Sequence, residues 1–99
     1  MRIISRKPLN DFAAKHPDAA EPLDNWYHRA RKATWQNLAD ARVDYPHADP
    51  FGECTIFNIA GNKYRLITKI KYEHQIIYIR FVLTHNEYDK ERWKNDCKC

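Results

Sequence analysis

The sequence has no hydrophobic run that approaches the roughly 18 consecutive apolar residues of a membrane-spanning helix. We expect no signal peptide at its start, and the sequence contains no internal repeat or low-complexity tract. Ninety-nine residues suit a single globular domain, so we expect residues 1–99 to form one domain. We expect that domain to be cytoplasmic and to make no contact with a membrane.

Cysteine is scarce and is not spaced for metal binding. The chain has three cysteines, at positions 54, 97 and 99, with no Cys-x-x-Cys pair, and its histidines lack the spacing of zinc ligands. We therefore expect neither a metal nor a cofactor. The odd number and the inferred compartment favour reduced thiols over a disulfide.

The composition supports a folded, basic domain. Hydrophobic residues make up 43% of the chain, and the net charge is +4 with a pI of about 9.0. A basic domain of this kind is suited to a polyanionic partner. Charge alone does not establish one, so the position of the cations decides the interpretation.

Polar and apolar residues alternate from residue 63 to residue 72, which predicts a strand with opposed faces. The cationic face of that strand carries Lys63, Arg65, Lys69 and Lys71, and the apolar face carries Tyr64, Leu66, Ile70 and Tyr72. Upstream, Gly61-Asn62 suits a two-residue hairpin turn, which places Leu66 opposite Phe57 and Arg65 opposite Asn58.

A second hairpin should follow, with a turn at Glu73-His74 and a strand over residues 76–83. The predicted pairs are Lys69 with Tyr78, Ile67 with Arg80, and Leu66 with Phe81. Both turns give the same division of faces. We therefore predict one antiparallel sheet whose polar face gathers Asn58, Arg65, Lys69, Tyr78 and Arg80.

The N-terminal half predicts a short first strand and two helices. Ile3 and Ile4 suit the strand, and a helix should run from Pro8 until His16-Pro17 stops it. Apolar periodicity predicts a second helix from about Pro22 to Ala41, with Trp35 off its apolar stripe and partly exposed. Residues 43–52, which contain two prolines and two aspartates, are typical of a loop.

The segment after the last strand carries a capping box, Thr84-His85-Asn86-Glu87, which predicts a helix that continues through Trp93. In such a helix His85 and Tyr88 lie side by side near the cationic face. We expect residues 94–99 to be frayed. The predicted fold class is therefore α+β, with two N-terminal helices packed on the sheet and a short C-terminal helix.

This face has the groups that metal-independent RNA cleavage needs. Arg65, Lys69 and Arg80 can stabilise the charge that grows on the phosphorane. His85 is the best candidate for proton transfer, and Tyr88 could donate a proton or stack on a base. Each residue alone has a structural explanation, so the hypothesis depends on their convergence.

The run FNIAGNKYRLITKIKYEHQIIYIRFVLTHNEYDK resembles the C-terminal half of HigB-type toxins of the RelE-like superfamily. The likeness lies in the Asn-x-x-Gly-Asn-x-x-Arg hairpin and the Thr-His-x-x-Tyr-Asp segment. The predicted order of a strand, two helices and a sheet also fits that family. The resemblance implies a RelE-like fold.

The resemblance further implies the toxin of a type II toxin–antitoxin pair, an mRNA endoribonuclease that acts in the ribosomal A site. It implies metal-independent transesterification that leaves a 2′,3′-cyclic phosphate, and a HigA-like antitoxin with a helix-turn-helix domain. Arg65, His85 and Tyr88 would be catalytic. We expect RNA contacts from Asn58, Lys69, Tyr78 and Arg80.

Two alternatives remain at this point. A non-catalytic RNA-binding module could use the same cationic face to hold phosphates, with Tyr88 stacking on a base. A protein-interaction domain with no RNA affinity is the third interpretation, and salt-insensitive behaviour would distinguish it.

Overall fold

The computed structural model describes residues 1–98, and Cys99, including its predicted thiol and frayed end, lies outside the described residues. Residues 1–98 form five strands and five α-helices, which we number in order. They are β1 (Arg2–Ile4), α1 (Lys7–Lys15), α2 (Ala20–Lys32), α3 (Leu38–Asp44), β2 (Asp49–Phe51), β3 (Cys54–Ile59), β4 (Tyr64–Lys71), β5 (Ile76–Thr84), α4 (His85–Asp89) and α5 (Lys94–Cys97).

The strands form one sheet in the order β1-β5-β4-β3-β2. The α+β class is confirmed, but the sheet is mixed and not wholly antiparallel, because β1 runs parallel to β5. Strand β2 was not predicted, since the two prolines and two aspartates of residues 43–52 are typical of loops. Proline is tolerated there because β2 is an edge strand that pairs only with β3.

The predicted β3–β4 hairpin is confirmed residue by residue. Leu66 lies opposite Phe57, and Arg65 lies opposite Asn58. Gly61 has a φ of +67°, a conformation that glycine adopts without steric cost. The N–H of Lys63 donates to the carbonyl of Ala60 at 3.3 Å and closes the turn.

The β4–β5 register is confirmed at one end and wrong at the other. Lys69 pairs with Tyr78 as predicted, but the register shifts by one residue between Ile67 and Thr68. Ile67 therefore faces Phe81, and Leu66 faces Val82. An extra residue in β5, a β-bulge, explains both errors, because it transfers the following side chains to the opposite face.

The main core lies between the sheet and the N-terminal helices, as predicted. Leu23 and Trp26 of α2 pack there against Phe57, Leu66 and Ile77 of the sheet, and all five are buried. The predicted start of α1 is also confirmed, since Pro8 occupies its first turn and His16 follows its last residue. No helix within residues 1–98 is long and apolar enough to cross a membrane.

The single helix predicted over residues 22–41 is in fact two helices. Helix α2 ends at Lys32, and Ala33 is extended, with a ψ of 154°. Helix α3 begins after Asn37, whose side chain accepts the N–H of Asp40 at 3.0 Å. An asparagine cap satisfies an otherwise unpaired donor at a helix start, which favours a new helix over a continued one.

The break also reverses the prediction for Trp35, which is only 4% exposed. Its ring stacks on Phe57 with the centroids 6.0 Å apart. Its indole N–H donates to Asp44 Oδ2 at 2.9 Å. An extended segment can direct a side chain into the core from a position that a continuous helix would expose.

The C-terminal segment confirms the capping box but not the predicted length of the helix. Thr84 and Glu87 exchange both capping hydrogen bonds, but α4 ends at Asp89 and does not reach Trp93. Glu91 has a φ of +61°, and the chain turns there into α5. Residues 94–97 are therefore helical where fraying was expected.

A disulfide corrects the expectation of reduced thiols. Cys54 of β3 is bonded to Cys97 of α5 across 43 residues of sequence. Both side chains are buried, at 2% and 0% exposure. Sequence spacing could not show this pair, because their proximity depends on a helix that was predicted to be frayed.

Candidate active site

The structure places the five predicted polar-face residues, Asn58, Arg65, Lys69, Tyr78 and Arg80, on one side of the sheet. Asn58 faces Arg65 across β3 and β4, and Lys69 faces Tyr78 across β4 and β5. Since alternate residues of a strand share a face, this is the side that α1 and α2 leave uncovered. The predicted grouping of these five residues on one face is therefore confirmed. Beyond the bulge the prediction is wrong, because Phe81 and Leu83, expected on the core face, join this side, and Val82 turns to the core.

An apolar cluster divides this face into two ends. It contains Cys54, Ile56, Ile67, Trp93 and Cys97, all buried, with Phe81, Leu83 and Tyr88 packed around it. Ile67 stands between Arg65 and Lys69, which are about 13 Å apart along the strand. We call Lys69, Tyr78 and Arg80 the closed end, and Asn58, Arg65 and Tyr88 the open end.

The cations of the closed end are paired with carboxylates. Arg80 donates two hydrogen bonds to Asp96 of α5, at 2.8 and 2.9 Å. Lys69 Nζ lies 3.9 Å from Asp96 and 3.7 Å from Glu53. The bidentate pair raises the pKa of Arg80 and lowers the pKa of Asp96. Helix α5 therefore neutralises the positive charge that the strands present here.

The open end contains an arginine without a carboxylate partner among residues 1–98. Arg65 Nη1 donates to the carbonyls of Asn62 and Tyr64, at 2.8 and 3.2 Å. Its guanidinium carbon lies 5.1 Å from the centre of the Tyr88 ring, within the range of a cation–π contact. These contacts fix the guanidinium and leave its charge uncompensated.

The hairpin that supplies the Asn62 carbonyl is anchored to the N-terminal half of the molecule. Tyr64 donates its hydroxyl hydrogen to Asp18 at 2.6 Å, and Lys63 forms an ion pair with the same carboxylate. These two donors lower the pKa of Asp18. Asp18 thereby fixes the end of the hairpin, and the Asn62 carbonyl at that end orients Arg65.

Tyr88 is held between a cation and an indole. Its ring stacks on Trp93 with the centroids 5.0 Å apart and an interplanar angle of 10°. The Trp93 indole N–H donates to the Tyr88 carbonyl at 3.0 Å. The tight turn after α4 therefore fixes the orientation of Tyr88 toward Arg65.

A cleft of about 370 Å³ opens at this end, and its lining includes Asn58, Arg65 and Tyr88. Its opposite wall is formed by residues 46–49 together with Arg42. Neither His47 nor Arg42 was predicted as part of the site. His47 lay in the loop predicted over residues 43–52 and was assigned no chemistry, and Arg42 lay at the end of the predicted second helix. The pairing of β2 with β3 brings both to the cleft, and no sequence signal short of that pairing could have found them.

His85, the third predicted catalytic residue, is placed differently. It is the first residue of α4, is exposed, and its Nδ1 lies 3.1 Å from Asp89 Oδ2. Within residues 1–98, the lining of the cleft does not include it. The structure thus brings Asn58, Arg65 and Tyr88 together and leaves His85 on the adjoining helix surface.

Comparison with known proteins identifies the family. Residues 19–91 match the HigB toxin family, described as the RelE-like toxic component of a toxin–antitoxin system. The chain belongs to the HigB toxin family. The expected resemblance is confirmed, and the matched residues include every residue of 1–98 that lines the cleft.

The curated relatives agree with that assignment. The mRNA interferase toxin HigB of Escherichia coli K12 is 32% identical over 92 residues, which cover 90% of this chain and 88% of that protein. The mRNA interferase HigB of Escherichia coli O6:H1 is 27% identical over 93 residues, 91% and 90% of the two chains. The similarity therefore extends over nearly the whole toxin.

The open end of this toxin has the chemistry of an RNA contact. A fixed guanidinium can hold a phosphate through two parallel hydrogen bonds. Aromatic rings stack on unpaired bases, and the cleft volume of about 370 Å³ lies within the range of small-molecule sites. At the closed end, both cations that the structure describes, Lys69 and Arg80, lie within ion-pair distance of Asp96. Neither is free to bind a phosphate without competition.

Proposed function

We propose that this HigB-family chain is the toxin of a type II toxin–antitoxin pair and a ribosome-associated endoribonuclease that cuts mRNA. Its relatives are named mRNA interferases, and their similarity extends over about nine-tenths of the chain. The single observation that carries the assignment to a site is the uncompensated Arg65 guanidinium over the Tyr88 ring, at the edge of the cleft.

The proposed reaction is a metal-independent transesterification. The ribose 2′-oxygen attacks the adjacent phosphorus, the bond from phosphorus to the 5′-oxygen breaks, and a 2′,3′-cyclic phosphate and a 5′-hydroxyl result. Arg65 stabilises the negative charge on the phosphorane. Tyr88 serves proton transfer, and Asn58 contacts the RNA at the cleft. His85 was expected to share the proton transfer, but it lies outside the lining of the cleft in residues 1–98 and takes no step of the proposed reaction.

The residues of the closed end have a weaker role in this proposal. Lys69, Tyr78 and Arg80 extend the RNA path along the sheet. Because Asp96 already pairs with Arg80, a phosphate there must compete with a carboxylate. We therefore assign the main phosphate contact to Arg65.

The proposed partners follow from the family. A HigA-like antitoxin with a helix-turn-helix domain would neutralise the toxin, and the ribosome would present the mRNA. Both substrate and ribosome belong to the cytoplasm, which is the compartment that we propose for the toxin.

Induction of the chain in a bacterium that lacks the antitoxin tests the proposal. Growth should stop, and primer extension on translated mRNA should reveal new 5′ ends within codons. Arg65→Ala should remove both effects. Lys71→Ala is the matched control, because Lys71 is an exposed cation of the same strand.

Two results would count against this function. Growth arrest without new 5′ ends would favour the RNA-binding module, which holds RNA and does not cut it. Full cleavage by a folded Arg65→Ala variant would show that the reaction takes place elsewhere on the molecule.

A further inference from the structure

We propose that His47, in the turn between α3 and β2, accepts the proton of the ribose 2′-hydroxyl in the RNA cleft, with Arg42 as a positioning residue for that turn. The inference rests on the proposed function. It adds a catalytic residue that lies outside the motif segments at residues 58–65 and 84–89.

The turn presents His47 by its backbone. Pro46 and His47 are its two central residues, and the N–H of Ala48 donates to the carbonyl of Tyr45 at 2.9 Å. Proline at the first central position fixes φ near the value that such a turn requires. The side chain of His47 is exposed and contributes to the lining of the cleft.

Contacts on both sides hold the turn in place. Arg42 Nε donates to the carbonyl of Ala48 at 2.9 Å, and Ala48 is itself only 2% exposed. The Tyr45 ring contacts Phe57 edge-on, with the centroids 5.4 Å apart. Catalytic groups work best when their supports are rigid, and this turn has a core contact and a side-chain hydrogen bond.

The imidazole of His47 has no ion pair or hydrogen bond to another group in residues 1–98. It is therefore available to a substrate that enters the cleft. Histidine is the side chain whose charge normally changes near neutral pH, which suits it to accept a proton in the cell. His85, by contrast, is engaged by Asp89 at 3.1 Å.

The proposed step balances. An unprotonated ring nitrogen of His47 takes the 2′-hydroxyl proton as the bond between the 2′-oxygen and phosphorus forms. The bond to the 5′-oxygen breaks, and that oxygen takes a proton from Tyr88. Transfer of the His47 proton to the Tyr88 phenolate through solvent restores both groups. Arg65 carries the intermediate charge and exchanges no proton.

Single-turnover cleavage of a translated mRNA, measured from pH 5.5 to 8.5, tests this assignment. His47→Gln should lower the cleavage rate about a hundredfold or more and remove the limb of the pH profile that falls toward acid. The charged and titratable groups that line the cleft with His47 are retained in this variant: Arg42 and Asp49 on its own wall, and Arg65 and Tyr88 on the other. His74→Gln, an exposed histidine in the β4–β5 turn, is the control and should cleave at the wild-type rate.

Two further variants distinguish a loss of proton transfer from a loss of the turn's structure. His47→Ala should lose activity and regain part of it with added imidazole, while Arg42→Ala should reduce the rate less and keep the pH profile. A loss in His47→Ala that imidazole does not restore would overturn the proton-transfer role.

The two proposals fail in different ways. If His47→Gln cleaves like His74→Gln while Arg65→Ala is inactive, the inference is wrong and the proposed function stands. If the wild-type toxin cuts no mRNA under these conditions, the proposed function itself is wrong.

Discussion

Arg65 and Arg80 occupy the same face of one sheet, and only one of them is free to bind a phosphate. Arg80 donates two hydrogen bonds to Asp96, which α5 brings over the closed end. Arg65 has only backbone carbonyls and the Tyr88 ring as partners in residues 1–98. The difference lies in the covering helix and not in the strands.

The comparison teaches that a cationic face is not a uniform surface. A guanidinium in a bidentate pair must lose that pair before it can bind RNA, whereas a guanidinium fixed by carbonyls has no competing anion. Within residues 1–98, the apolar cluster around Ile67 and Trp93 lies between the paired guanidinium of Arg80 and the unpaired one of Arg65. We therefore expect the phosphate contact at the open end.

The largest expected effect comes from the two arginines. Arg65→Ala should lower the single-turnover cleavage rate by about 100- to 1,000-fold, since it removes the donor that we propose stabilises the transition state. Arg80→Ala should lower it by less than about tenfold, because its charge is already balanced. Circular dichroism of both variants controls for folding. Equal losses at the two positions would remove the distinction between the ends.

The disulfide fastens the helix that covers the closed end. Reduction with dithiothreitol should lower the free energy of unfolding by about 2 to 4 kcal/mol, because the bond restricts a long loop in the unfolded chain. Urea denaturation measures this change. Cys97→Ala should lose a similar amount and no longer respond to the reductant. Identical urea curves with and without reductant would mean that the bond does not fasten α5.

Tyr88 joins the open end to the apolar cluster through its stack on Trp93. Tyr88→Phe should keep the melting temperature, because the ring and its contacts remain, and should lower the cleavage rate about tenfold or more through loss of the hydroxyl. Tyr88→Leu should also destabilise the fold by about 1 kcal/mol, since aromatic stacking is lost. Full activity in Tyr88→Phe would restrict this residue to stacking.

The smallest expected effect is the pH dependence of the closed end. Arg80 lowers the pKa of Asp96 below its ordinary value of 3.8, so the carboxylate stabilises the folded state above that pH. The contribution is lost as pH falls through the lowered value, where Asp96 becomes protonated. Asp96→Asn should therefore be less stable than the wild type by up to about 1 kcal/mol at pH 7.

Thermal melts across the acid range measure that difference. The gap between Asp96→Asn and the wild type should narrow as pH falls below 3.8, the ordinary pKa of Asp96, and disappear once the pH is below the lowered pKa. A gap that stays constant from pH 7 to pH 3 would show that the charge of Asp96 does not hold α5 in place.

Local patterns predicted the parts of the fold that depend on neighbours in sequence. Alternation and the Gly61-Asn62 turn predicted the β3–β4 register, and the Thr84 capping box predicted the start of α4. These signals depend on only a few neighbouring residues, so the structure of these segments can be predicted without knowledge of tertiary contacts. The β3–β4 register also predicted correctly that Asn58 and Arg65 share one face of the sheet.

The errors occur where distant contacts decide the structure. The bulge opposite Ile67 brings Phe81 to the apolar cluster that α5 completes, and Trp35 is buried by an extended break that periodicity concealed. Strand β2 forms because β3 offers an edge, which composition cannot indicate. For the same reason the wall of the cleft that carries His47 could not be predicted.

A titration with an uncleavable RNA, in which 2′-deoxy nucleotides replace the ribonucleotides only at the positions of cleavage, tests the central claim most directly. We predict that NMR signals of the Arg65 side chain, Asn58 and residues 45–49 shift first, while the Arg80 Nε–H signal keeps its position. Shifts centred on Lys69, Tyr78 and Arg80, with Arg65 unchanged, would contradict the account.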